Sequence, residues 1–151
     1  MSAGRLEVDL ISDLLPDAPD YARGFAGLAF AISGDSSTFE AVYVRPYNGL
    51  SVAPDDVRRQ RAVQYFAYPG WPFDRLRQER PDDGFESAAD IRPGAWLHLA
   101  VEFDARHVRA EVDGVEVVNR ERVGAASSGA IGLFVDIGTD AHFANLVVER
   151  A

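Results

Sequence analysis

The sequence predicts an all-β sandwich or barrel, on three observations. Turn residues punctuate the chain at short intervals, the segments between them alternate apolar and polar positions, and no long stretch keeps a helical period. Arg5–Ile11 opens the series, with Leu6, Val8 and Leu10 on one face and Glu7 and Asp9 on the other. Gly24–Ile32 is a nearly continuous apolar run, as expected of a central strand covered on both faces. Phe39–Arg45 follows and stops at Pro46 and the turn pair Asn48-Gly49; Arg61–Tyr68 stops at Pro69-Gly70. Leu97, Leu99, Val101 and Phe103 then alternate with His98, Ala100 and Glu102, and Val108, Ala110 and Val112 with His107, Arg109 and Glu111. A two-residue turn at Ala105-Arg106 sets Glu102 opposite Arg109 and Phe103 opposite Val108, two favourable cross-strand pairs. Asp113-Gly114, between two alternating runs, is the strongest hairpin signal in the chain. Gly129–Ile137 and His142–Glu149 supply the last strands. Only Pro54–Arg61 suits a helical turn, with Pro54 near its start and Asp55 and Asp56 in its first turn. The count is about ten to eleven short strands in one domain spanning residues 1–151.

Composition narrows the chemistry. The chain has 151 residues, 24 acidic and 15 basic side chains and a formal charge of −9. That balance disfavours nucleic acid and anionic membranes as partners. Every basic residue is arginine, and there is no cysteine. Lysine Schiff bases, a Walker-type phosphate loop and a thiol nucleophile are therefore excluded. No basic stretch leads into an apolar segment at the N-terminus, and no apolar run reaches the ~20 residues of a membrane span. The default expectation is a cytoplasmic protein.

Several strings carry a family resemblance. They are Gly27-Leu28-Ala29-Phe30, the run from Phe39 to Pro46, Ala62-Val63-Gln64-Tyr65, Leu76-Arg77, Phe85-Glu86 and Trp96. The Asp113-Gly114 hairpin, Gly129-Ala130-Ile131-Gly132-Leu133 and Phe143-Ala144-Asn145-Leu146 complete them. Together they resemble the laminin-G-like branch of the concanavalin A-like lectin/glucanase superfamily over almost the whole chain. The resemblance implies a jelly-roll β-sandwich of two antiparallel sheets and, in many relatives, glycan binding. Related domains usually carry sequence before the equivalent of Arg5, which implies a missing strand or an open N-terminal edge. Such an edge would suit a homo-oligomer or an accessory-subunit contact.

Candidate site residues fall in two groups. In the segment Pro69–Arg77, Trp71 lies between prolines beside Arg75, Arg77 and Tyr68. A stiff aromatic with guanidinium neighbours suits a sugar ring or a carboxylate. Equally, the indole can fold back on the core edge while the arginines pair with Glu79 or Glu86. Tyr43 and Arg45 share one strand face, and Gln64 and Phe66 share another. If the strands are neighbours, Tyr43, Arg45 and Gln64 line a polar patch or brace the sheet through Glu40 or Glu86.

Catalytic signals are thin. Glu7-Val8-Asp9 begins a glucanase-like strand pattern, but no second glutamate follows it. His98 is expected near Asp113 from the hairpin register, and no serine sits in an elbow motif. Asp136, Thr139 and Asp140 around Gly138 offer oxygens to calcium or cap turn amides; no other cofactor is indicated. The reading is a non-catalytic, lectin-like domain for a glycan or small polar ligand, with Tyr43, Arg45, Gln64, Trp71, Arg75, Arg77 and Glu86 as contacts. The alternatives are an enzyme acting on a sugar derivative, like keto-disaccharide hydrolases, or a structural accessory domain. The enzyme reading requires a carboxylate of raised pKa, with Glu40, Glu86 and Asp136 as candidates.

Overall fold

A computed structural model describes residues 1–151. The ten strands are β1 (Gly4–Leu14), β2 (Ala26–Ile32), β3 (Phe39–Val44), β4 (Val63–Tyr68), β5 (Glu86–Ser87), β6 (Leu97–Phe103), β7 (His107–Val112), β8 (Val115–Glu121), β9 (Ala130–Val135) and β10 (Thr139–Arg150). They form two five-stranded antiparallel sheets, ordered β10-β1-β6-β7-β8 and β5-β4-β3-β2-β9. The all-β jelly-roll sandwich expected from the sequence is the observed architecture. No helix is long and apolar enough to cross a membrane.

Alternation decides which face each strand buries. Leu6, Val8 and Leu10 of β1 are fully buried, and Leu97, Leu99, Val101 and Phe103 of β6 meet them from the neighbouring strand. From the opposite sheet, Leu28, Phe30, Val42, Val44, Val63 and Tyr65 complete one cluster of 29 buried residues. Burial at about 25 cal/mol per Å² makes this shared core the main stabilising term. The turn after β6 keeps the expected register, with Glu102 opposite Arg109 and Phe103 opposite Val108. Asp113 and Gly114 have φ of 51° and 79°, the left-handed pair that a tight hairpin between twisted strands demands.

Two elements differ from expectation. The segment after Pro69 is not an extended loop: Trp71 doubles back on Ala67 through a pair of backbone hydrogen bonds of 2.8 and 3.2 Å. Helix α2 (Phe73–Glu79) then begins, with Asp74 in its first turn and Arg77 in its last. Seven residues are too few for a visible helical period, but buried Leu76 anchors the helix. The expected turn in Pro54–Arg61 is present as α1 (Asp56–Arg59), capped by the Asp55 carboxylate accepting from the Arg58 amide at 2.8 Å.

The second difference is the N-terminal edge. β1 pairs with β10 on one side and β6 on the other, so both of its ladders are filled. The open edge expected there does not exist, because the C-terminal strand covers it. That removes the ground for an oligomer or accessory-subunit contact at β1.

Inside the sandwich, Glu40 of β3 points toward the core with its side chain only 2% exposed. It accepts from Arg122 Nε at 3.1 Å and from the Tyr65 hydroxyl at 2.5 Å, and Arg122 Nη2 donates to its other oxygen. Glu40 therefore braces the interior and not the polar patch on the other side of its sheet.

Candidate functional site

The outer face of the β5-β4-β3-β2-β9 sheet gathers the predicted polar residues. Register places Tyr43 of β3 directly opposite Gln64 of β4, and Gln64 opposite Glu86 of β5. Arg45 lies at the end of this row and is 4% exposed. Its guanidinium donates to Glu86 Oε2 at 2.6 Å, Gln64 Oε1 at 2.8 Å, the Tyr43 hydroxyl at 2.9 Å and the Arg61 carbonyl at 3.1 Å. Gln64 is fully buried and spends its amide on the carbonyls of Tyr65 and Phe85. It orients Arg45 and does not itself line a cavity.

Glu86 is the hub. Arg77 of α2 grips it with two hydrogen bonds, Nε to Oε1 at 2.9 Å and Nη2 to Oε2 at 2.8 Å, the forked geometry that a guanidinium offers a carboxylate. Burial alone would push the Glu86 carboxyl up, but Arg77 and Arg45 together outweigh it and hold it below its ordinary value. The raised carboxylate required by a glycosidase-like reading is therefore not found at Glu86. Burial raises the Tyr43 hydroxyl despite the charge of Arg45, so it stays protonated.

Beside this network runs an aromatic trough of about 260 Å³. Its lining includes Phe39, Tyr43, Phe66, Tyr68 and Phe134, with Phe25 and Phe73 at one end. The trough exists because Gly27 of β2 stands between Tyr43 and Phe134 in the ladder. With no side chain at 27, those two rings close to 5.2 Å across it. Phe39 stacks on Tyr68 at 5.2 Å and meets Phe66 edge-on at 5.8 Å. Phe25 and Phe73 also line a second cavity of about 230 Å³, whose other walls hold Arg23, Arg45, Tyr47, Arg58, Arg61 and Arg77. The two cavities thus share one aromatic wall.

Of the sequence-predicted residues, Tyr43, Arg45, Gln64, Arg77 and Glu86 form one network. Trp71 and Arg75 do not join it. The Arg75 guanidinium lies over the indole at 3.8 Å and donates to the Gly70 carbonyl at 2.6 Å, and neither residue lines either cavity. The indole packs against the core edge, which the doubled-back backbone imposes. Sequence reasoning missed Phe25, Phe39, Phe73 and Phe134, and with them Arg23, Arg58 and Arg61. The signal was present in part: Phe39 shares a strand face with Tyr43 and Arg45, and Tyr68 with Gln64 and Phe66.

The other candidates disperse. Of the carboxylates flanking Gly138, Asp136 opens onto the aromatic trough and Asp140 pairs with His142 at 3.1 Å. No group of three or more histidine, aspartate or glutamate side chains is arranged to hold a metal ion. Asp113 does meet His98, but through the His98 backbone amide at 2.8 Å. The imidazole turns instead to Asp9 at 2.7 Å and Glu7 at 3.0 Å, on the outer face of the other sheet. Those hydrogen bonds, Glu7 first, raise the His98 pKa. The imidazole is thus committed to two carboxylates of its own sheet, away from both cavities.

No model of a known protein family matches the chain, and no curated protein matches its sequence. Solved structures do match its fold. The chain is similar to the carbohydrate-binding module CBM66 from Bacillus subtilis, with a TM-score of 0.66 and 18% identity, over 99% of this chain and 76% of that one. It is similar to a Bacillus subtilis protein of unknown function with a galectin-like fold, with a TM-score of 0.58 and 14% identity over 97% and 71%. A single-substitution variant of human galectin-16 matches at a TM-score of 0.56 and 11% identity over 99% and 89%. The chain has the β-sandwich fold of lectins and carbohydrate-binding modules.

Proposed function

We propose that this domain binds a glycan on the outer face of the β5-β4-β3-β2-β9 sheet, without catalysis. The observation that supports it is the aromatic trough joined through Phe25 and Phe73 to a cavity of guanidinium donors. Sugar rings present C–H faces that stack on aromatic planes and hydroxyls that seek directional partners. A groove of mixed aromatic and fixed polar groups serves both. Arg45 is immobilised by four acceptors, so ordering it on binding costs little entropy. The carbohydrate-binding module among the structural neighbours favours the same reading. Within the lectin-like jelly rolls, the strings along the chain favour the laminin-G-like branch.

A glycan array followed by calorimetry tests the proposal. Tyr68, 49% exposed at the trough rim, is the point of attack because the ring face not stacked on Phe39 is open to a sugar. Tyr68→Ala is expected to weaken binding by about 1 kcal/mol, roughly fivefold, the scale of one lost stacking partner. Trp71→Ala, outside both cavities, is expected to leave affinity unchanged. A loss confined to Trp71→Ala would move the site to the Pro69–Arg75 turn and refute this assignment.

A further inference from the structure

The cavity around Arg45 is charged opposite to the chain that builds it. The protein carries a formal charge of −9, yet the cavity wall holds Arg23, Arg45, Arg58, Arg61 and Arg77 and no carboxylate. Glu86 lies behind the wall and pairs with Arg45 at 2.6 Å and Arg77 at 2.8 Å. Asp55 lies 3.8 Å from Arg58. Glu86 and Asp55 are the only carboxylates in ion pairs with these five guanidinium groups. The nearby Asp13 is occupied by the Tyr47 hydroxyl at 2.5 Å, and Asp136 belongs to the neighbouring trough.

The donors are also left free. The Arg61 side chain makes no hydrogen bond or ion pair within the chain, and Arg77 uses Nε and Nη2 on Glu86 while Nη1 has no partner. Arg23 spends Nη1 on the carbonyls of Asp20 and Ala22 and pairs with no acid. Clustered guanidinium groups repel one another, and a bound anion both relieves that repulsion and accepts the free N–H groups.

We propose that this cavity seats an anionic substituent of the glycan, a uronic carboxylate or a sulfate ester, while the neutral part of the ligand lies along the aromatic trough. The inference rests on the glycan reading above and adds the ligand's charge to it. Size supports the division of labour. At about 230 Å³ the cavity is smaller than the ~300–1,000 Å³ of pockets that enclose a whole drug-sized ligand. It suits one substituted sugar unit, with the chain continuing past Phe25 and Phe73. Carboxylates and sulfates accept N–H bonds from guanidinium groups, and the free donors here are those of Arg61 and Arg77 Nη1, while Arg45, its Nη hydrogens spent on Glu86, Gln64, Tyr43 and the Arg61 carbonyl, adds a fixed positive charge.

Two measurements decide it. The first is a glycan array pairing neutral sugars with counterparts bearing a uronic carboxylate or a sulfate ester. It is expected to retain charged members over neutral ones by about tenfold, and its two arms show which anion is preferred. The second is an NMR titration of inorganic sulfate, expected to shift the Nε–Hε resonances of Arg61 and Arg77. Arg61→Gln is expected to abolish the preference and weaken the sulfate response. Arg106→Gln removes the same charge on a remote exposed turn and is expected to change neither. Equal retention of charged and neutral members overturns the anionic ligand and leaves the glycan reading standing. Sulfate shifts with no glycan retained uphold the anion cavity and overturn the glycan reading. No sulfate shift with no glycan retained overturns both.

Discussion

Replacing Glu40 by alanine strands a guanidinium inside the sandwich. The side chains of Glu40 and Arg122 are 2% and 3% exposed, so neither is rescued by water. Arg122 would keep its bonds to the carbonyls of Asp104 at 2.6 Å and Ala126 at 2.8 Å but lose its one ion pair. The Tyr65 hydroxyl would lose the acceptor it meets at 2.5 Å. Deleting one partner of a buried ion pair costs about 3–5 kcal/mol. With a urea slope of about 2 kcal/mol per M, a loss of about 4 kcal/mol lowers the unfolding midpoint by about 2 M. Urea titration followed by tryptophan fluorescence reads this directly. Converting both residues, Glu40→Leu with Arg122→Met, removes both charges together and is expected to recover most of the loss. A cost below about 1 kcal/mol for Glu40→Ala, or a double variant as unstable as the single one, would refute the buried-pair argument.

Three further outcomes follow from the same geometry. Glu86→Gln removes the charge that holds Arg45 and Arg77 together, and should cost about 2 kcal/mol in denaturant titration and weaken glycan retention. Gly27→Ala would place a Cβ 2.0 Å from the Val42 carbonyl oxygen. That close approach should destabilise by about 1–3 kcal/mol, with NMR ring-current shifts reporting the parting of Tyr43 from Phe134. His98 has a raised folded pKa, so its contribution is complete below its unfolded value of about 6.5 and disappears as pH rises through the folded value. The wild-type protein should therefore lose stability relative to His98→Gln across that interval; parallel thermal-unfolding profiles would disprove the link.

Much of the sandwich was readable because alternation is a local signal. Leu6, Val8 and Leu10 declare their face without reference to any other strand, and Asp113-Gly114 declares a hairpin from two residues. β5 is only two residues long and α2 only seven, so neither offers enough periods to be read. The edge expected at Arg5 failed for a different reason. What covers a strand depends on where the far end of the chain returns, and β10 lies about the whole chain length away from β1 in sequence.

The site divides the same way. Tyr43 and Arg45 share a face by strand period alone, and their meeting with Gln64 needed only that two consecutive strands pair. Composition had already left arginines, carboxylates and aromatics as the tools available to a chain with neither lysine nor cysteine. Those are properties of the sequence by itself: the fold class, the buried faces and the chemical inventory. Only the tertiary structure decided that Trp71 turns away, that Glu86 lies between two guanidinium groups, and that five arginines face one small cavity in an acidic protein. Such convergence comes from loops and strands brought together by packing, and no local period records it.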